Sequence, residues 1–176
     1  MSPQAVVDRQ IASTDGSLPV QSSLEAWVNA VLAHFPGEHR SEVTVRIVDA
    51  DESRALNRDY RGRDRPTNVL SFPFEAPPGI ELSLLGDLVI CHPVVMQEAI
   101  EQNKRLEDHY AHLVVHGTLH LLGHDHIDET EADTMEQLER DILATFSIAD
   151  PYLPVRDMSG GSGERHFDSE DERLDP

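Results

Sequence analysis

His116 and His120 stand four residues apart in His116-Gly117-Thr118-Leu119-His120-Leu121-Leu122-Gly123-His124-Asp125-His126. On a helix rising about 1.5 Å per residue, side chains at that spacing project from one face and can reach one metal ion together. Gly123, three residues on, can take the left-handed conformation that ends a helix and turns the chain, which brings His126 back toward the first two. Three imidazoles with an open fourth position are the ligand set of a catalytic zinc.

The spacing follows the metzincin peptidase template H-E-x-x-H-x-x-G-x-x-H at every position except 117, where glycine replaces the glutamate. In a zinc peptidase that glutamate takes the proton from metal-activated water and delivers it to the leaving amine. Gly117 can do neither. Zinc can still lower the pKa of water to about 7 without a neighbouring base, so the chemistry favours a leaving group easier to expel than an amide nitrogen, or a substrate with its own assisting group. RNA is such a substrate, because its 2′-OH can attack the adjacent phosphate. Either route needs a cation at the phosphoryl oxygens. Arg61 is the candidate, since a guanidinium presents a planar fork that matches phosphate.

Ten histidines offer competing pairs. His112 with His116 also has the four-residue spacing, but His112 and His120 lie about 12 Å apart along a helix axis and cannot share an ion. Only His116 with His120 places Gly123 and His126 where a third ligand can return. His124 follows His120 by four residues across the turn and is held in reserve, as a donor to a ligand, a proton shuttle or a competitor for the third ligand position, with His126 favoured. His34, His39, His92 and His166 read as surface or structural residues, Cys91 as a buried strand residue, and Trp27 as core.

The 176 residues suit one domain with its own core. The N-terminus lacks the charged flank and apolar run of a signal peptide, and no stretch approaches the roughly 18 apolar residues of a membrane span, so a cytoplasmic protein is expected. A lone cysteine excludes an internal disulfide and a thiolate-built zinc site. The formal charge of −19 is unlike that of a protein that captures nucleic acid by bulk charge. The scarce positive charge is concentrated: Arg54, Arg58, Arg61, Arg63 and Arg65 are five of the eleven basic residues before position 154. Apart from Arg61, these read as a solvated charged face.

The elements that must position these groups follow from pattern. A β-favouring run at Ala5-Val6-Val7 predicts an edge strand. Leu24, Trp27, Val28, Val31, Leu32 and Phe35 recur at helical spacing, with Ser22 or Ser23 as the expected N-cap and Pro36-Gly37 as the stop. Val43 to Val48 alternates with period two and predicts a half-buried strand. A short helix follows from Asp49 to Asp51 through Tyr60, then a charged loop over Arg61 to Pro66. Strands are expected over Val69 to Phe74, whose Pro73 points to an edge or a strand end, and over Gly86 to Cys91. Pro93 suits the first turn of a helix reaching about Asn103. The helix from Leu106 to Gly123 is apolar on most sides and predicted to be central and buried. Asp128 to Glu131 opens a last helix with an apolar stripe of Met135, Leu138, Ile142, Leu143 and Phe146. The fold class is α+β (α/β): one domain over residues 1–153, with a small mixed sheet of about four strands surrounded by helices and the metal site at the end of a central helix. Residues 154–176 form an acidic Gly/Ser-containing tail without the apolar content to pack.

Asn57-Arg58-Asp59-Tyr60-Arg61-Gly62, Pro66-Thr67-Asn68-Val69-Leu70-Ser71-Phe72-Pro73, Gly86-Asp87-Leu88-Val89-Ile90 and the histidine stretch occur in one order. Together they resemble the YbeY family of bacterial metal-dependent endoribonucleases, over about Ala5 to Leu153. The resemblance implies one zinc ion held by His116, His120 and His126, with Arg61 as the important arginine and single-stranded RNA as substrate. It also implies a role in 16S ribosomal RNA 3′-end maturation and 70S ribosome quality control. The implied partners are ribosomal RNA and ribosomal subunits, with ribosomal proteins or assembly GTPases as further candidates, and no membrane. The chain departs from the family at His124, where tyrosine is common. The alternatives are a peptidase-like metallohydrolase, which Gly117 disfavours, and a non-catalytic zinc-containing ribosome assembly factor.

Overall fold

The computed structural model of the chain describes residues 4–124 and 128–152. Its elements are β1 (Val6–Ala12), α1 (Gln21–Leu32), β2 (Glu42–Val48), α2 (Ala50–Arg61), β3 (Val69–Pro73), β4 (Leu84–Cys91), α3 (His92–Glu101), α4 (Leu106–Leu121) and α5 (Glu129–Ala144). The strands form one mixed sheet in the order β1-β2-β4-β3. β1 pairs parallel with β2 and β2 parallel with β4, whereas β3 runs antiparallel to β4 on the opposite edge. Both edge assignments made from sequence hold. Pro73 ends β3 at that edge, where its missing N–H costs no ladder bond.

Each face of the sheet has its own cover. Val43, Val45, Ile47, Leu88 and Ile90 point into the larger core, where they meet Leu24, Val28 and Val31 of α1 and Val114, Val115 and Leu119 of α4. Val48, Leu70, Val89 and Cys91 point the other way, against Ala50 and Leu56 of α2 and Val94 of α3. The alternation along β4 therefore puts α4 and α2 on opposite sides. As its composition requires, α4 is buried along most of its length, and α5 closes over it with Met135, Ile142 and Leu143.

Several boundaries differ from expectation: β1 continues to Ala12, and Arg61, expected at the start of the charged loop, is the last residue of α2. α1 begins at Gln21 with Val20 in the N-cap position and no side-chain cap, so Ser22 and Ser23 lie inside the first turn. Gln21 binds instead to the carbonyl of Val7 at 2.8 Å, which ties the helix start to β1. β4 begins two residues before Gly86, because Leu84 pairs with Glu42 across an irregularity in the β2–β4 ladder. The 154–176 tail lies outside the described residues. No described helix is long and apolar enough to cross a membrane.

Candidate metal centre

α4 carries His109, His112, His116 and His120, and the helix ends as the glycine required. Gly123 has φ +99°, its N–H bonds to the carbonyl of His120 at 3.0 Å, and the His124 N–H bonds to the carbonyl of Leu119 at 3.0 Å. This pair of bonds is the Schellman arrangement that satisfies the last carbonyls and reverses the chain. Asp125, His126 and Ile127 lie outside the described residues, so the return of His126 as third ligand does too.

The two predicted ligands on α4 meet. His116 Nε2 and His120 Nε2 are 3.2 Å apart, with the rings edge to face. Two nitrogens bound at about 2.0–2.1 Å to one tetrahedral zinc are separated by about 3.3 Å, so these side chains fit a shared ion without moving far. His124, in contrast, rests its ring against Phe35, three residues past the end of α1, with centroids 5.3 Å apart.

Behind His116 lies a residue that the sequence reading passed over. Glu139 of α5 is fully buried, and its Oε2 accepts from His116 Nδ1 at 2.6 Å. Its Oε1 accepts from His112 Nε2 at 3.1 Å and from the Tyr152 hydroxyl. Burial alone would raise the Glu139 carboxyl, but His116 and His112 outweigh it and hold it well below the usual carboxylate range. Burial pushes His112 down to about 4, against the pull of Glu139, so this imidazole is neutral and acts as an N–H donor. Among the described residues, His112, His116 and Glu139 bring ligand atoms within 4.8 Å of one another and could hold a metal ion. The signal for Glu139 was present in the chain. It lies four residues beyond Met135 and three before Ile142, which places a carboxylate on the apolar stripe of an amphipathic helix.

Gly117 faces the sheet. A Cβ there would lie 2.7 Å from Leu88 Cδ2 and 3.3 Å from Ser71 Oγ, so α4 packs on β4 and β3 where the peptidase template has its glutamate. Arg61 is the last residue of α2, half-buried, and Gly62 closes that helix in the left-handed conformation. Next to it, Tyr60 lays its ring on Phe72 of β3 with centroids 4.4 Å apart. Arg61 and His116 thus belong to helices on opposite faces that share the edge strand β3 as neighbour. Of the other arginines, Arg54 pairs with Asp64 and Arg58 with Asp59, both exposed, as a solvated face requires.

Residues 10–147 match the family described as Endoribonuclease YbeY. The chain belongs to the YbeY family. Endoribonuclease YbeY of Chromohalobacter salexigens is 66% identical over 148 residues, which cover 83% of this chain and 96% of that protein. The solution structure of a Thermotoga maritima protein superposes with a TM-score of 0.53 at 25% identity, covering 81% of this chain and 92% of the other. The expected family, the α+β class and the four-stranded sheet are therefore right. As a YbeY-family protein the chain is an endoribonuclease, and a buried His/Glu group suited to a metal ion lies in its central helix pair.

Proposed function

We propose that this endoribonuclease cleaves single-stranded RNA with one zinc ion held by His116, His120 and His126, and that it acts in the cytoplasm on ribosomal RNA within ribosomal subunits. The reading extends to 16S ribosomal RNA 3′-end maturation and 70S ribosome quality control, as the family resemblance implies. The observation that carries it is the 3.2 Å approach of His116 Nε2 to His120 Nε2, with the other nitrogen of His116 committed to Glu139. A nitrogen whose ring partner donates to a carboxylate keeps its own lone pair for a metal.

Zinc at that position would supply Lewis acidity toward water and phosphoryl oxygen. Everything else falls to the chain. The missing side chain at Gly117 leaves no carboxylate on the face of α4 that meets β4 to shuttle a proton to an amine. The proton economy therefore suits phosphodiester cleavage, where RNA can contribute its own 2′-OH. Arg61 supplies the positive charge for the phosphoryl oxygens, from across the edge strand. The overall charge of −19 implies that RNA reaches the site on a ribosome or partner protein and is not gathered by bulk attraction.

The test is to incubate metal-quantified protein with defined single-stranded RNA and, in parallel, with a peptide library, using His116→Ala as control. RNA cleavage that disappears together with bound metal in His116→Ala is expected. Peptide cleavage without RNA cleavage would overturn the proposal.

A further inference from the structure

From the arrangement behind His116, and resting on the reading that His116 and His120 are metal ligands, we infer that Glu139 is the positioning residue of the centre. Its carboxylate holds His116 as the Nδ1–H tautomer with Nε2 turned toward His120, and Tyr152 and His112 lock that carboxylate in place.

Each part of the network has one role. The two oxygens of Glu139 face different partners: Oε2 takes the His116 Nδ1–H at 2.6 Å, and Oε1 takes the His112 Nε2–H at 3.1 Å together with the Tyr152 O–H. A carboxylate has about four lone-pair sites, and three of them are directed at donors, so it is held against rotation. With both oxygens engaged, Glu139 serves as an acceptor for His116 and leaves the other nitrogen of that ring to meet His120. In the opposite tautomer, His116 would aim a bare Nδ1 at a carboxylate and a proton at His120. That arrangement repels on one side and blocks the ligand lone pair on the other.

The reach of the network is notable. Glu139 comes from α5 and Tyr152 from the chain beyond it, so the segment after α5 reaches the metal helix both through this carboxylate and through the contact of Tyr152 with His112. The Tyr152 ring makes a T-shaped contact with His112, at a centroid distance of 5.6 Å, and its hydroxyl donates to Glu139 Oε1. Arg140 lies over the Tyr152 ring at 5.7 Å and is itself tied to Asp150 at 2.8 Å.

The experiment measures two quantities besides activity. One is the dissociation constant for Zn2+, by competition with a chromophoric chelator. The other is the His116 tautomer in the metal-free protein, by long-range proton–nitrogen NMR. Wild type should show His116 protonated at Nδ1. Glu139→Gln should move His116 toward the other tautomer and weaken Zn2+ by about 10–100-fold, and Tyr152→Phe should weaken it less, in the same direction. His116→Ala and His120→Ala should each lose the ion, which is the check on the underlying reading. Wild-type affinity and tautomer in both Glu139→Gln and Tyr152→Phe would overturn the positioning role while leaving the ligand reading intact. Retention of Zn2+ by His120→Ala, with loss in His112→Ala and Glu139→Gln, would make Glu139 itself a ligand and overturn both. If Glu139→Gln does not fold, Tyr152→Phe decides: unchanged tautomer and affinity there sinks the inference.

Discussion

Gly117 of α4 stands so close to Leu88 of β4 that a Cβ at 117 would come within 2.7 Å of the Leu88 Cδ2 methyl. Leu88 is fully buried, so its side chain would have to repack against the core to make way. Restoring the peptidase template with Gly117→Glu would therefore drive a carboxylate into the contact between helix and sheet. Overpacking alone costs about 1–3 kcal/mol, and a buried carboxylate without a partner costs several more. The expected outcome is a protein that does not reach its native fold, read by circular dichroism and urea denaturation. A stable Gly117→Glu protein with wild-type melting would show that the glycine is not needed for packing.

The same helix shows what could be read in advance and what could not. His116 and His120 were legible because helical geometry alone sets their relation, and the turn at Gly123 because a left-handed residue after a helix is a local demand. The sheet followed from the period-two run at β2 and the strand-like runs at β3 and β4. Glu139 was harder, because its relation to His116 spans 23 residues and two helices and exists only once α5 has docked. Even so, a carboxylate on the Met135, Ile142, Leu143 stripe was a buried charge in need of a partner, and neutral or charged imidazoles on α4 were the natural donors. The N-cap of α1 was misplaced for a similar reason. Ser22 and Ser23 satisfy a local preference, but the bond from Gln21 to Val7 is a tertiary contact that moves the start of the helix.

Arg61, proposed here as the phosphate-binding cation, ends a helix on the face of the sheet opposite α4. Its removal should therefore leave the histidine site untouched. Arg61→Glu is expected to retain full metal content while RNA cleavage falls by about 10²–10³-fold in kcat, the usual loss for one preorganised donor. Arg61→Lys should fall between the two, since an ammonium keeps the charge but loses the bidentate fork. Metal analysis by mass spectrometry, alongside single-turnover cleavage of defined RNA, separates the effects. Wild-type cleavage by metal-bound Arg61→Glu rules the role out.

His124 follows the turn at Gly123, four residues beyond the predicted ligand His120. Its ring packs at 5.3 Å against Phe35, and its backbone N–H, not its side chain, completes the helix end at Leu119. A larger aromatic ring can keep that packing, which in aromatic pairs is worth about 0.5–1.5 kcal/mol. His124→Tyr should therefore bind one equivalent of Zn2+ with the wild-type dissociation constant and unfold within about 1 kcal/mol of wild type in urea. A loss of metal in this variant would place His124 among the ligands.

His109 sets a pH dependence that can be separated from metal binding by working with metal-free protein. Its ring is fully buried, and its Nε2 contacts Glu98 at 2.8 Å. Burial, reinforced by the nearby positive charge of Lys104, holds His109 below its ordinary value of 6.5 despite Glu98. The unfolded chain then takes up a proton near pH 6.5 that the folded chain refuses, so the unfolded state binds more protons in this window and stability falls as pH is lowered through it. Above the unfolded value the penalty vanishes. His112, pushed down to about 4 by burial, acts in the same direction. Urea midpoints of the metal-free protein should therefore drop steadily from pH 7 toward pH 5. His109→Gln, which can still donate to Glu98 but carries no titrating ring, should show a shallower drop over the same range, whatever its absolute stability. Parallel slopes for wild type and His109→Gln would mean that His109 takes up its proton equally in both states, contrary to the burial seen here.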